Sequence, residues 1–148
     1  MNLNRCGMIH LLEIENFLSI RDRQVLDLRI SGKVPDRFDR FAPIFPEAAT
    51  RAPKVVALFG ANASGKTNVL KALNFLIQFV RNPETRSQSG TLVERFNDEQ
   101  SKNRPIQFAL EVAGLMDATP DVIERARKNE PVAYGTYRYE LALAVRDG

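Results

Sequence analysis

The chain has 148 residues, 44% of them hydrophobic and 26% charged, the balance of an ordinary globular domain. Its formal net charge of +3 permits an anionic partner but does not by itself argue for nucleic acid. The lone Cys6 and lone His10 exclude a disulfide framework, a cysteine metal site and a His-pair zinc motif, and no uninterrupted apolar run exceeds five residues, so no membrane span is expected and a cytoplasmic location is the default.

In chain order, a loose leader over residues 1–7 precedes a first predicted strand that starts at Met8. Leu12 and Ile14 would face one side, Glu13 and Glu15 the other. Leu26, Leu28 and Ile30 alternate with Asp27 and Arg29, which predicts a second strand, and the polar link 19–24 predicts a hairpin between the two. Residues 31–53 hold four prolines and little periodicity, so a long loop is expected. Loops of this length are usually functional or disordered. This one mixes Phe38, Phe41 and Phe45 with Arg37, Arg40 and Arg51. Asp36, Asp39 and Glu47 cancel much of the positive charge, so the rings are expected to pack over the core rather than stack on nucleic acid.

Val55-Val56-Ala57-Leu58-Phe59 is a continuous apolar run, the pattern of a strand buried on both faces. From Lys66 to Arg81 the period turns helical. Val69, Ala72, Leu73, Leu76, Ile77 and Val80 form one stripe, and Leu70, Phe75 and Phe79 widen it. Lys71, Asn74, Gln78 and Arg81 line the opposite side, and Asn82-Pro83 stops the helix. Residues 84–104 are polar, with a weak apolar patch at Leu92, Val93 and Phe96. Ile106, Phe108, Leu110 and Val112 alternate with Gln107, Ala109 and Glu111, which predicts a strand. Thr119-Pro120-Asp121 predicts a short helix with Thr119 as its cap, ending near Asn129. Tyr137, Tyr139, Leu141, Leu143 and Val145 share one face of a last predicted strand. Asp147-Gly148 is a hairpin-turn signal, so the chain is expected to be the N-terminal part of one larger domain.

Between the apolar run and the helix stands Gly60-Ala61-Asn62-Ala63-Ser64-Gly65-Lys66-Thr67, which fits the phosphate-loop pattern G-x-x-x-x-G-K-[ST]. The residue types follow from the task. Gly60 permits a sharp turn out of the strand, and Gly65 lets the backbone approach a phosphate closely. Amide groups from about Asn62 to Thr67 can converge on an anion, and the helix start adds its free N–H groups and positive dipole end. Lys66 can reach the β and γ oxygens as a point charge. Thr67 can offer its hydroxyl to Mg²⁺, and Asn68 can support the α-phosphate. A glycine-rich turn alone would explain Gly60 and Gly65 but not Lys66 and Thr67 together.

The loop, with Asn62 as its third residue, resembles the ABC-type ATPase heads of the SMC and RecF group. The stretches "LLEIENFLSI", "VLDLRI", "VVALFGANASGKTNVLKALNFL", "PIQFALEV" and "YRYELALAV" together resemble AAA-family ATP-binding proteins of the OLD-like, RloA-like and abortive-infection kind. The resemblance implies an α/β P-loop NTPase: an ABC-ATPase-like head lobe with a mixed sheet, antiparallel strands around the P-loop helix, and an incomplete outline. It also implies ATP and Mg²⁺ as cofactors, a head-to-head homodimer in the complete protein, and work on DNA or RNA or beside a companion nuclease, as in phage defence. Ser19 and the hairpin beside it are further candidate nucleotide contacts.

The sequence departs from that family in the parts that do chemistry. No LSGGQ-like signature stands in the chain; "SQSG" over 87–90 lacks the order. No run of four apolar residues leads into Asp-Glu, and the nearest acids, Glu111 and Asp117, are expected at strand ends or in loops. Leu18 stands where relatives often carry a basic residue after Asn-Phe. No catalytic residue is therefore assigned, and weak binding of ATP and Mg²⁺ without turnover is expected of these 148 residues. A non-catalytic nucleotide- or nucleic-acid-binding module is the alternative. A GTPase ranks last, since no N-K-x-D or suitably placed D-x-x-G is present.

Overall fold

The computed structural model describes residues 8–62, 64–82 and 93–144. The predicted leader, Ala63 of the loop, the stretch 87–90, Leu92, Val145 and the Asp147-Gly148 turn lie outside the described residues. In chain order the elements are β1 (Ile9–Glu15), β2 (Gln24–Asp27), β3 (Phe41–Pro43), β4 (Arg51–Pro53), α1 (Lys66–Arg81), β5 (Ile106–Leu115), α2 (Pro120–Arg127) and β6 (Tyr134–Leu143). Four strands form one sheet in the order β2-β1-β5-β6, and β3 pairs with β4 in a second, two-stranded sheet. The result is a mixed α/β fold. The chain divides into two compact units.

The first unit takes the chain up to Leu11, Asp27–Val56 and Leu110–Tyr139. The expected long loop carries β3 and β4, an antiparallel pair with Ala42 opposite Ala52. The four prolines concealed this pairing: Pro43 and Pro53 sit at the ends of strands only three residues long, where a missing N–H costs little. Ile44, Ala52 and Ala113 form the buried centre, with Met8, Phe45 and Ala48 packed against it. Phe45 stacks on Tyr134 with ring centroids 5.9 Å apart. Phe38, expected over the core, is instead 76% exposed, with the Arg40 guanidinium 5.4 Å from its centroid. Across the sheet, Glu111 receives Arg29 at 3.3 Å and Arg138 at 3.1 Å, while the buried His10 ring lies 3.5 Å away. α2 begins with Pro120 as predicted, but Thr119 makes no side-chain cap bond. Its own N–H donates to the Asp117 carboxylate at 2.9 Å, so Asp117 shapes the helix entry.

Two carboxylates in this unit sit below their ordinary value of 3.8. Asp36 is lowered by the N–H groups of Arg40 and then Phe41, and Asp27 by the Arg29 guanidinium. A lowered folded value contributes stability that is present above the ordinary value and lost as pH falls through the lowered one. Urea unfolding midpoints are therefore expected to drop between about pH 5 and about pH 2, and Asp36→Asn should make that drop shallower. An unchanged slope would mean that the two amide contacts, both 2.9 Å, contribute nothing to acid sensitivity.

The second unit takes Leu12–Leu26, the described residues of Ala57–Ala109, and those from Glu140 onward. α1 runs over the predicted residues, and its buried residues all lie on the predicted apolar side, though they cover only part of it. Ala72, Phe75, Leu76 and Phe79 are buried, whereas Leu70 and Val80 are 61% and 45% exposed. Aromatic rings set that face: Phe75 packs on Phe79 and on Phe108, and Phe108 meets Phe17 edge-on at 5.2 Å. Such pairs add to the area that the rings bury. The expected strand over 55–59 does not form. Val55 is 84% exposed and Phe59 91% exposed, so a run written for burial on both faces is covered on neither.

Candidate phosphate-binding site

The segment from Gly60 to Asn68 lies in the second unit, where α1 begins directly after Gly65. Gly65 holds φ 86° and ψ 2°, a left-handed conformation that glycine adopts without the penalty of a Cβ. Gly60 is required for a different reason. A Cβ there would lie 2.8 Å from the Ser64 hydroxyl, so a side chain would displace the hydroxyl to which Lys66 donates. The two glycines that the motif demands are thus each needed by the loop's own geometry.

Lys66 closes the loop on itself. Its ammonium donates to the Gly60 carbonyl at 2.8 Å, to the Ala61 carbonyl at 2.5 Å and to the Ser64 hydroxyl at 3.1 Å. All three partners are neutral oxygens of the loop. Phosphate oxygens would replace them with bonds charged on both sides, adding the attraction between ammonium and anion. The charge is therefore placed at the loop in advance and held by contacts that an anion can outbid.

The helix start is bare on its N-terminal side. Its N-cap residue is a glycine with no side chain to bond the first amides, and no acidic residue occupies the first turn. The N–H groups at the start of a helix have no intrahelical carbonyl, and the dipole adds partial positive charge there. Asn68 and Val69 already direct their N–H groups to the Gly65 carbonyl, at 2.9 and 3.2 Å. Asn62, Ser64 and Thr67 are exposed, and Lys66 is half-buried. The Thr67 hydroxyl is a hard oxygen of the kind Mg²⁺ selects.

Asn68, the expected support for the α-phosphate, donates its side-chain amide to the Ser19 hydroxyl at 2.7 Å. Ser19 belongs to the turn after β1, and the motif gave no direct sign of this contact. A cavity of about 470 Å³ lies beside the loop, lined by Ser64, Gly65 and Val69 on one side and by Ser19, Arg21 and Asp22 among others on the opposite side. The two acids weighed as substitutes for a catalytic pair belong to the first unit. Each is engaged there: Glu111 with Arg29 and Arg138, Asp117 with the Thr119 amide. Among the described residues no cluster of three or more His, Cys, Asp or Glu side chains could hold a metal ion. No helix among them is long and apolar enough to cross a membrane.

No curated protein and no solved structure matches the chain. A family model described as "AAA domain, putative AbiEii toxin, Type IV TA system" matches residues 55–124, a span that contains the whole phosphate loop and α1. That match supports an AAA-type P-loop ATPase family, with the P-loop NTPase fold and the nucleotide binding that go with it.

Proposed function

We propose that this chain carries the ATP-binding portion of an SMC/ABC-like P-loop ATPase that hydrolyses ATP as a complete protein and works in nucleic-acid transactions or phage defence. The single observation that carries the reading is Lys66, whose ammonium is held by three loop oxygens beside an uncapped helix start. The amides from about Asn62 to Thr67 would hold the β-phosphate, Lys66 would reach the β and γ oxygens, and Thr67 would hold Mg²⁺. When bound, Mg²⁺ neutralises charge on the phosphate oxygens. The residues fit that group, because the exposed Thr67 hydroxyl in the first turn of α1 is the hard oxygen donor that Mg²⁺ selects. Pairing of two such heads around nucleotide, and DNA, RNA or a companion nuclease as partners, rest on the resemblance of the whole segment to OLD-like and RloA-like ATPases.

Phosphoryl transfer needs several groups positioned together. With Glu111 and Asp117 committed elsewhere, these 148 residues are expected to bind Mg-ATP without measurable turnover. Titration calorimetry should give a binding heat for Mg-ATP and, for Lys66→Ala, an affinity at least about tenfold weaker, the scale of a lost charge-assisted contact. Equal affinities for the two chains would reject the reading. Binding of GTP as tightly as ATP would reject the choice of nucleotide.

A further inference from the structure

We propose that Ser19 is a positioning residue of the phosphate loop, fixing the first turn of α1 through Asn68. This rests on the reading of the loop as a polyphosphate seat. Ser19 accepts a hydrogen bond from the Asn68 side-chain amide at 2.7 Å. Its oxygen also lies 3.5 Å from the point where a Cβ on Gly65 would stand, and Ile20 Cγ1 lies 3.8 Å from the same point. The turn therefore rests against the N-cap of the helix as well as its third residue.

The turn is built to stay where it is. Phe17 and Ile20 exchange both backbone hydrogen bonds at 2.8 Å, and the Asn16 N–H reaches the Arg21 carbonyl at 3.1 Å. Leu18 holds φ 52°, a conformation unfavourable for a side chain of its bulk. Its N–H is secured by the Glu94 carbonyl at 2.9 Å. Strain of this kind persists only where the surroundings over-determine it, and it concentrates at functional sites. The fully buried Asn16 supplies that determination. Ser19, Ser64 and Gly65 also border one cavity, so the turn and the loop face the same space. A loop held in its binding geometry loses less freedom when the anion arrives, and so binds it more tightly.

The test is a double-mutant cycle on the 148-residue chain, with Mg-ATP and inorganic tripolyphosphate as probes and calorimetry as readout. Ser19→Ala and Asn68→Ala should each weaken both probes about three- to tenfold, the size of one hydrogen bond. The double variant should bind no worse than the weaker single, because both changes remove the same contact. Ser19→Thr, which keeps the hydroxyl, should restore affinity to within about twofold. The urea midpoint of the unliganded chain should hardly move, since Ser19 is exposed. Lys66-dependent binding that is indifferent to Ser19, or losses that multiply in the double variant, would overturn the positioning role alone. Binding indifferent to Lys66→Ala would overturn the loop reading and this inference with it.

Discussion

Asn16→Ala is expected to lower the free energy of unfolding by about 3–4 kcal/mol, the largest single loss anticipated for this chain. Asn16 is 0% exposed. Its side-chain amide donates toward the carbonyls of Ser101 at 3.1 Å, Arg104 at 2.9 Å and Pro105 at 3.4 Å. Its side-chain oxygen accepts from the Phe96 N–H at 3.1 Å. One side chain thus satisfies backbone groups of a segment that forms no helix or strand over residues 96–105. Alanine would leave those groups buried and unpaired, and each such group costs about 1–3 kcal/mol. Alanine would also have to adopt φ 54°, which asparagine tolerates far better. Asn16→Gly removes the same hydrogen bonds without the backbone penalty, so it should be milder than alanine by about 1 kcal/mol. Asn16→Asp keeps the shape but sets a carboxylate against three carbonyls, and should be at least as harmful as alanine. The chain has no tryptophan, so urea unfolding is best followed by far-UV circular dichroism. A loss below about 1 kcal/mol for alanine would show that water replaces these contacts at little cost.

What the sequence disclosed depended on how local the physics was. The phosphate loop and the extent of α1 were legible because glycine conformation, a helix start and a lysine within reach are settled over a few residues. β5 was legible from its alternation, although it runs on to Leu115. The apolar side of α1 was legible, but not which part of it is covered: periodicity weighs all apolar residues alike, whereas Phe75 meets Phe108, a residue distant in sequence. The role of Asn16 and the bond between Ser19 and Asn68 were hidden for the same reason: the partners lie 80 or more and 49 positions away. A polar residue between Glu15 and Phe17 looks like an ordinary turn until the carbonyls that it satisfies are known. The β3–β4 pair escaped notice because three-residue strands flanked by proline carry no period long enough to read.

Phe59→Glu is expected to convert an associating chain into a monomer with little change in stability. The run Val55–Phe59 reads as a fully buried strand, but Val55, Val56, Leu58 and Phe59 are 84, 44, 36 and 91% exposed. Exposed apolar side chains that follow one another along the chain, as Leu58 and Phe59 do within the second unit, favour association more than scattered single residues. Covering one phenylalanine side chain is worth about 2 kcal/mol, or roughly thirtyfold in an association constant. Sedimentation velocity over a concentration series should show association of the unmodified chain and its weakening in Phe59→Glu. Phe38→Glu is the control: that ring is 76% exposed but isolated, with Arg40 stacked over it, so its loss should leave association unchanged. The unfolding free energy of Phe59→Glu should stay within about 0.5 kcal/mol of the unmodified chain, as expected for a side chain that touches little. If the unmodified chain remains monomeric throughout, or if Phe38→Glu suppresses association as strongly as Phe59→Glu, then the exposed run is not the adhesive surface.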